Sequence, residues 1–290
     1  MQDFQTFLAP AKINLFLHII GRRADGFHNL QSVFQLLDFH DDIHIKVTSN
    51  KQIKRLNHLE NVPESQDLCV RAAQALQIAT GCQQGAEIKI EKRIPMGGGL
   101  GGGSSDAATV LLALNHLWQL NLSRQQLMQI GLTLGADVPV FIFGQTAWAE
   151  GVGEILSAID LPKSQQECYY VVLTPDEHVS TMQVFANPRL TRDTKPLKIA
   201  DFSSGTNSSS FRNDLETIVC EDFPAVATTL DWLKPYGEAR MSGSGASVFV
   251  AVNSKQKADE ILANKPVSTT GFVCKGLMKH PHYALVDTGM

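Results

Sequence analysis

No closely spaced pair of cysteines occurs in this chain, no apolar run approaches the roughly 18 residues of a membrane span, and no cluster of lysines and arginines stands out. Each absence excludes something. The five cysteines, Cys69, Cys82, Cys168, Cys220 and Cys274, are odd in number and scattered without a C-x-x-C pair, so neither a disulfide framework nor a zinc site is expected. A formal charge of −4 without a basic patch argues against nucleic acid as a partner, because affinity for the phosphate backbone comes from clustered cations. The opening MQDFQTFLAPAKIN has no basic segment leading into a long apolar one, so a cytoplasmic protein with no membrane partner is expected. No internal repeat is visible, and no carboxylate cluster has metal-ligand spacing, so no protein-held metal is expected.

What is present is the composition of a folded protein, 43% hydrophobic and 19% charged, in a chain of 290 residues. That length exceeds what one core usually organises, which predicts two lobes. Ala11–Ile20 alternates in period two, with Ala11, Ile13, Leu15, Leu17 and Ile19 on one face and Lys12, Asn14, Phe16, His18 and Ile20 on the other, as in a strand. Turn residues at 21–26 lead to extended chain over 27–39 and again over 43–47. Residues 64–77 read as a helix and 86–91 as a strand. Ser123 with Gln126 is a capping box for a helix that should stop near Gly135, which leaves Asp137 at a junction. From about Thr146 the pattern becomes short strands (146–150, 153–159, 169–175, 247–252, 272–277) with helices near 214–219 and 225–233, an α+β second lobe. The polar stretch 201–210 reads as a mobile loop.

The segment Pro95-Met96-Gly97-Gly98-Gly99-Leu100-Gly101-Gly102-Gly103-Ser104-Ser105 places six glycines within seven residues, directly before an apolar helix over 106–120. Each glycine forfeits on the order of 0.5–1 kcal/mol relative to alanine in regular structure. Something must need bare backbone, and a polyphosphate does: close-packed N–H groups and the positive end of a helix dipole make an anion site. Ser104 and Ser105 are N-cap candidates, with a hydroxyl of Ser105 near the phosphates as the other reading. A flexible linker is disfavoured by the buried helix that follows at once. Gly97-x-Gly99-x-x-Gly102 formally fits a dinucleotide fingerprint, but no Asp or Glu follows Asp106 until Asp137, and no G-x-x-x-x-G-K-[ST] occurs. A second cluster, Met241-Ser-Gly243-Ser244-Gly245-Ala-Ser247, is either a tight turn or a second wall of the same phosphate cradle.

PAKINLFL at 10–17, PMGGGLGGGSSDAA at 95–108 and MSGSGASVF at 241–249 together resemble the three motifs of the GHMP kinases, small-molecule kinases that use ATP. RADGFHNLQSVFQLLDFHD at 23–41, LGADVPVF at 134–141 and AEGVGE at 149–154 resemble one branch of that family, whose substrate is an alcohol carrying cytidine diphosphate. The resemblance implies an α+β, two-lobed fold: a ribosomal-protein-S5-like, ATP-binding lobe over 1–158 and a ferredoxin-like, substrate-side lobe over 159–290. It implies ATP with magnesium, bound by residues 95–105, and a monomer or weak homodimer.

The same resemblance assigns Lys12 and Asp137 to catalysis, Asp137 as the base that takes the hydroxyl proton while phosphate is transferred. From residue type alone, Lys12 also fits a solvated surface lysine and Asp137 a simple helix cap before Pro139. Phe27 and Phe185 match positions that stack on cytosine, with phenylalanine at 27 where many relatives carry tyrosine. His28 then reads the base edge through its ring nitrogens and backbone. Asn14, Thr181, Gly243, Ser244 and Gly245 complete the expected substrate side. A kinase for another small alcohol, a non-catalytic nucleotide sensor and a dinucleotide oxidoreductase are the competing readings.

Overall fold

The structure, a computed structural model, describes residues 3–60, 62–203 and 211–286. Strand β1 (Gln5–Arg22) pairs antiparallel with β2 (His28–Thr48), and the register shifts between Pro10 and Lys12, Asn14 and Phe16, and Ile19 and Gly21. An extra residue turns later side chains to the opposite face. The single apolar face expected from strict alternation is therefore split: Ala11, Ile13, Leu15 and Phe16 enter one core cluster, Leu17 and Ile19 another.

The sequence reading expects two extended pieces on either side of His40-Asp41-Asp42, whereas β2 runs through them unbroken. The acidic pair is accommodated because fully buried Asp41 accepts from the amides of Arg93 and Ile94 and from the Lys92 ammonium, while Asp42 meets the Arg93 guanidinium.

The first lobe continues through β3 (Ile53–Arg55), α1 (Leu68–Thr80), β4 (Gly85–Glu91), α2 (Gly102–Leu117), α3 (Arg124–Leu132), α4 (Val138–Phe143) and the hairpin β5 (Ala147–Glu150) and β6 (Ile155–Ala158). The predicted helix over 64–77 is a single 3-10 turn at Glu64–Gln66 followed by α1, whose first turn is capped by the Asp67 carboxylate accepting from the Cys69 amide. The capping box at Ser123 and Gln126 is present. The second lobe holds α5 (Lys163–Gln166), β7 (Tyr169–Pro175), α6 (Thr181–Ala186), α7 (Ile199–Ser203), α8 (Glu216–Asp222), α9 (Pro224–Leu233), β8 (Arg240–Met241), β9 (Val248–Val252), α10 (Lys255–Ala263) and β10 (Thr269–Leu277). Residues 201–203 of the expected mobile loop are thus helical, and 204–210 lie outside the described residues.

The strands form one sheet in the order β3-β4-β2-β10-β7-β9-β8, with β1 and β5 also paired to β2. The two lobes join where β10 meets β2 at Gly276↔Leu37 and Leu277↔Leu36. Around that seam Ala11, Ile13, Phe16 and Val33 pack against Tyr170, Val172, Phe249 and Phe272, so the lobes share a core. The chain after β10 returns to the first lobe: Arg124 donates to the carbonyls of Ile142, Tyr283 and Val286, and the Leu8 amide donates to His282 Nε2 at 2.7 Å. Among the described residues no helix is long and apolar enough to cross a membrane.

Candidate active site

A cleft of about 1250 Å³ lies between the lobes and is lined by both glycine clusters. A pocket for one drug-sized ligand is commonly about 300–1,000 Å³, so this cleft has room for two. Its lining includes an apolar set, Leu59, Val62, Leu68, Ile90 and Ile94, and a second set that holds Phe27, His28, Leu30 and Phe185.

The glycine loop lines the same cleft. Its carbonyls point into the protein: Gly98 accepts from the Ser247 amide, Gly99 from Lys12 Nζ and Ser242 Oγ, Leu100 from the Lys12 amide, and Gly101 from the Ser105 amide. In a planar trans peptide the N–H points opposite to the C=O, so the amides of residues 99–102 turn away from those partners, toward the cleft these residues line. Glycine is required for this close fit. Gly99 has φ of 73° and a Cβ there would sit 2.2 Å from the Ser242 carbonyl oxygen; at Gly101, also φ 73°, it would sit 2.8 Å from the Phe141 ring. The second glycine cluster therefore buttresses the first.

Helix α2 begins at Gly102, with Gly101 in the left-handed conformation at its N-cap. This corrects the expectation of a serine cap: the loop's last glycines already have helical geometry, and Ser105 is one turn inside. Ser105 is fully buried and its hydroxyl donates to the Pro10 carbonyl at 2.6 Å, so it braces β1 and does not reach the cleft; Ser104 does line it. Gly245 is likewise behind the wall, where a Cβ would meet Met241 Sδ at 2.9 Å, whereas Gly243 and Ser244 line the cleft. The remaining predicted residues, Lys12, Asn14, Phe27, His28, Pro95 through Ser104, Asp137, Thr181 and Phe185, are brought to this one cavity.

Lys12 is only 2% exposed, against the surface-lysine reading. Its ammonium donates to Asn14 Oδ1 at 2.7 Å and to the Gly99 carbonyl at 2.9 Å, and lies 3.6 Å from Asp137 Oδ2. Asn14 in turn donates to Ser32 Oγ at 2.8 Å, and Ser32 donates to the Phe16 carbonyl at 2.6 Å. This chain fixes which end of the Asn14 amide faces the lysine. Asp137 occupies the N-cap position of α4 but makes no capping bond with its side chain, which removes the simple-cap reading and leaves the carboxylate available in the cleft.

Elsewhere along the cleft the turn over 23–27 closes through an Arg23 amide bond to the Phe27 carbonyl and displays the Phe27 ring, 62% exposed. The His28 and Phe185 rings lie 5.4 Å apart at 34°. One of the two His28 ring nitrogens is already taken: Arg192 Nε donates to Nε2 at 3.0 Å. Burial first, then the charges of Arg192 and Arg22, hold the His28 imidazole below the ordinary histidine range. Thr181 and Ser244 hydroxyls bond at 2.6 Å, tying α6 to the second glycine turn.

Sequence reasoning missed Ser32, Arg192 and a buried network beside the loop. Lys92 donates to both Asp41 and Asp106, at 2.6 Å to Asp106. Burial would lower the Lys92 ammonium, yet the two carboxylates raise it; burial pushes Asp106 up to about 8 against the pull of Lys92. Asp41 and Asp106 fall inside the segments 23–41 and 95–108, but nothing local shows that Lys92, 51 and 14 residues away, joins them.

Residues 67–145 match the family GHMP kinases N terminal domain, and residues 199–264 match GHMP kinases C terminal. The 4-diphosphocytidyl-2-C-methyl-D-erythritol kinase of Thiobacillus denitrificans is 54% identical over 282 residues, covering 97% of this chain and 99% of that protein. The enzyme of the same name from Azoarcus sp. is 51% identical over 279 residues, 96% of each. Among solved structures, a 4-(cytidine 5'-diphospho)-2C-methyl-D-erythritol kinase superposes with a TM-score of 0.79 at 30% identity, covering 94% of this chain and 100% of that one.

Proposed function

Since this chain belongs to the GHMP kinase family, we propose that it transfers the γ-phosphoryl group of ATP to the 2-hydroxyl of 4-diphosphocytidyl-2-C-methyl-D-erythritol, a step in non-mevalonate isoprenoid precursor synthesis. The observation that carries the reading is the Lys12–Asp137 pair, set beside the glycine loop in a cleft with room for two ligands.

Phosphoryl transfer asks a protein to position two reactants, to neutralise charge on the transferring group and to accept the hydroxyl proton. The amides of the glycine loop and the start of α2 hold the phosphates. Asp137 accepts the hydroxyl proton, and Lys12, held on Asn14 and Gly99, keeps that carboxylate oriented and adds positive charge near the transferring group. Phe27 and Phe185 take the cytosine ring, and His28 its edge. Magnesium, when bound with ATP, would supply positive charge that neutralises the phosphates. Among the described residues no group of three or more His, Cys, Asp or Glu side chains is placed to hold a metal.

In this reading ATP belongs to residues 1–158 and the substrate side to 159–290, with Phe27 and His28 crossing from the first to the second. Every group invoked comes from one chain, so a monomer or weak homodimer suffices. A cytoplasmic location suits an ATP-using enzyme whose five thiols are all free. Incubation with magnesium-ATP and the diphosphocytidyl alcohol should give ADP and a new phosphomonoester on C2, seen by phosphorus NMR. No ADP from folded protein would refute the assignment, and turnover only with a different alcohol would move it to another acceptor.

A further inference from the structure

We propose that Arg192, a residue outside every recognisable motif, sets base specificity by fixing His28 as the tautomer with its proton on Nδ1. The inference deepens the proposed function and rests on it for the identity of the base. Arg192 Nε donates to His28 Nε2 at 3.0 Å. A guanidinium has five N–H donors and no acceptor, so Nε2 must offer its lone pair. In the neutral imidazole the single proton then sits on Nδ1, the one ring nitrogen left for a ligand in the cleft that His28 lines.

Arg192 is held so that it cannot simply swing away. Its Nη1 donates to the Leu190 carbonyl at 2.9 Å, and Nη2 to the carbonyls of Asn187 at 2.8 Å and Phe185 at 3.2 Å. One side chain thus ties the edge-reading imidazole at the start of β2 to the stacking ring on α6, and the two rings sit 5.4 Å apart as a result. A protonated His28 would set N–H against N–H at this contact. The depressed basicity of His28, from burial and from the neighbouring Arg192 and Arg22, agrees with that geometry.

The consequence is chemical. A histidine fixed as a donor pairs with a base edge that offers acceptors. Both bases offer the O2 acceptor, so the discrimination lies at N3: cytosine presents a lone pair there, whereas uracil carries a hydrogen and meets the same N–H with a donor. Free choice of tautomer would let the histidine serve either base, and Arg192 removes that choice. Arg192 is therefore a positioning residue: it acts through His28 and touches no reacting atom.

Two measurements test this. Long-range proton–nitrogen NMR on nitrogen-15 histidine-labelled protein at pH 7 should show His28 with a protonated Nδ1 and an unprotonated Nε2. In parallel, kcat and KM are compared for cytidine and uridine forms of the diphospho-alcohol in wild type, Arg192→Gln and Arg192→Lys. Losing one fixed donor is worth about tenfold, so Arg192→Gln should raise KM for the cytidine form about tenfold with kcat within twofold, and move the cytidine-to-uridine ratio toward one. Arg192→Lys, which keeps a donor-only cation, should retain more of the preference. A His28 protonated on Nε2 in wild type overturns the proposal, as does an unchanged base ratio in a folded Arg192→Gln. Should neither nucleotide be turned over by wild type, the proposed function fails, and the tautomer measurement still decides the role of Arg192.

Discussion

Lys12 Nζ stands 3.6 Å from Asp137 Oδ2, although the two residues come from opposite ends of the first lobe, one on β1 and one at the start of α4. The lysine is buried while the carboxylate is 39% exposed, so the pair presents its acidic partner to the cleft and keeps its basic partner anchored behind. Removing either group therefore has a different expected cost.

Lys12→Met should abolish turnover and also destabilise the fold. It leaves the Asn14 Oδ1 acceptor without its donor and the Gly99 carbonyl with Ser242 Oγ alone in a buried site, a loss of about 1–3 kcal/mol. Urea unfolding monitored by circular dichroism reads the stability part; an unaltered midpoint would contradict the anchoring role.

Gly99→Ala should weaken ATP binding at least tenfold without touching a catalytic side chain. The new Cβ would lie 2.2 Å from the Ser242 carbonyl at a φ that L-residues rarely adopt, so the loop must move. Isothermal titration with a non-hydrolysable ATP analogue checks this, with Gly26→Ala as a control: Gly26 also has positive φ, but no atom lies near its Cβ position.

Phe27→Ala should leave the unfolding midpoint nearly unchanged, because the ring is 62% exposed. It should raise KM for the cytidyl substrate about tenfold or more, since stacking on a base contributes about 1–3 kcal/mol. The KM for ATP should stay put. A parallel rise in both would place Phe27 in general loop order and not in base recognition.

The fold should lose stability in mild acid through His280. Burial, then His282 and Arg124, hold this imidazole down to about 3, while in the unfolded chain it titrates near 6.5. The unfolded state thus binds a proton that the folded state does not between those values, so stability falls as pH drops below about 6.5, at about 1 kcal/mol per pH unit. His280→Gln should flatten the dependence of the urea midpoint between pH 6.5 and 5 relative to wild type. An identical slope in both proteins would contradict it.

The sequence made some of this legible and hid the rest for physical reasons. The phosphate loop was readable because glycine density is costly and close backbone packing is the event that calls for it, as Gly99 and Gly101 show. The strands 169–175 and 248–252 and the capping box at Ser123 followed from local periodicity and chemistry. What failed was whatever depended on distant partners. Asp41 sits in mid-strand because Lys92 and two amides 52 and 53 residues away satisfy it. Ser105 looked like a cap because nothing local shows that Pro10 would claim its hydroxyl. The bulge between Asn14 and Phe16 broke an alternation that is visible only as a pattern of residue types. Helix α10 carries a local signal in Ser254, whose side chain accepts from the Lys257 amide ahead of a charged helix-forming run.

The most direct test of the account is a rapid-quench single turnover of Asp137→Asn with ATP and substrate binding measured on the same preparation. General-base catalysis contributes about 10²–10⁴-fold, and the Asp137 side chain makes no capping bond. The chemical step should therefore slow by at least about a hundredfold, with both dissociation constants within about threefold and an unchanged unfolding midpoint. A chemical step as fast as wild type, or a loss of binding that matches the loss of rate, would contradict the claim that this carboxylate takes the hydroxyl proton.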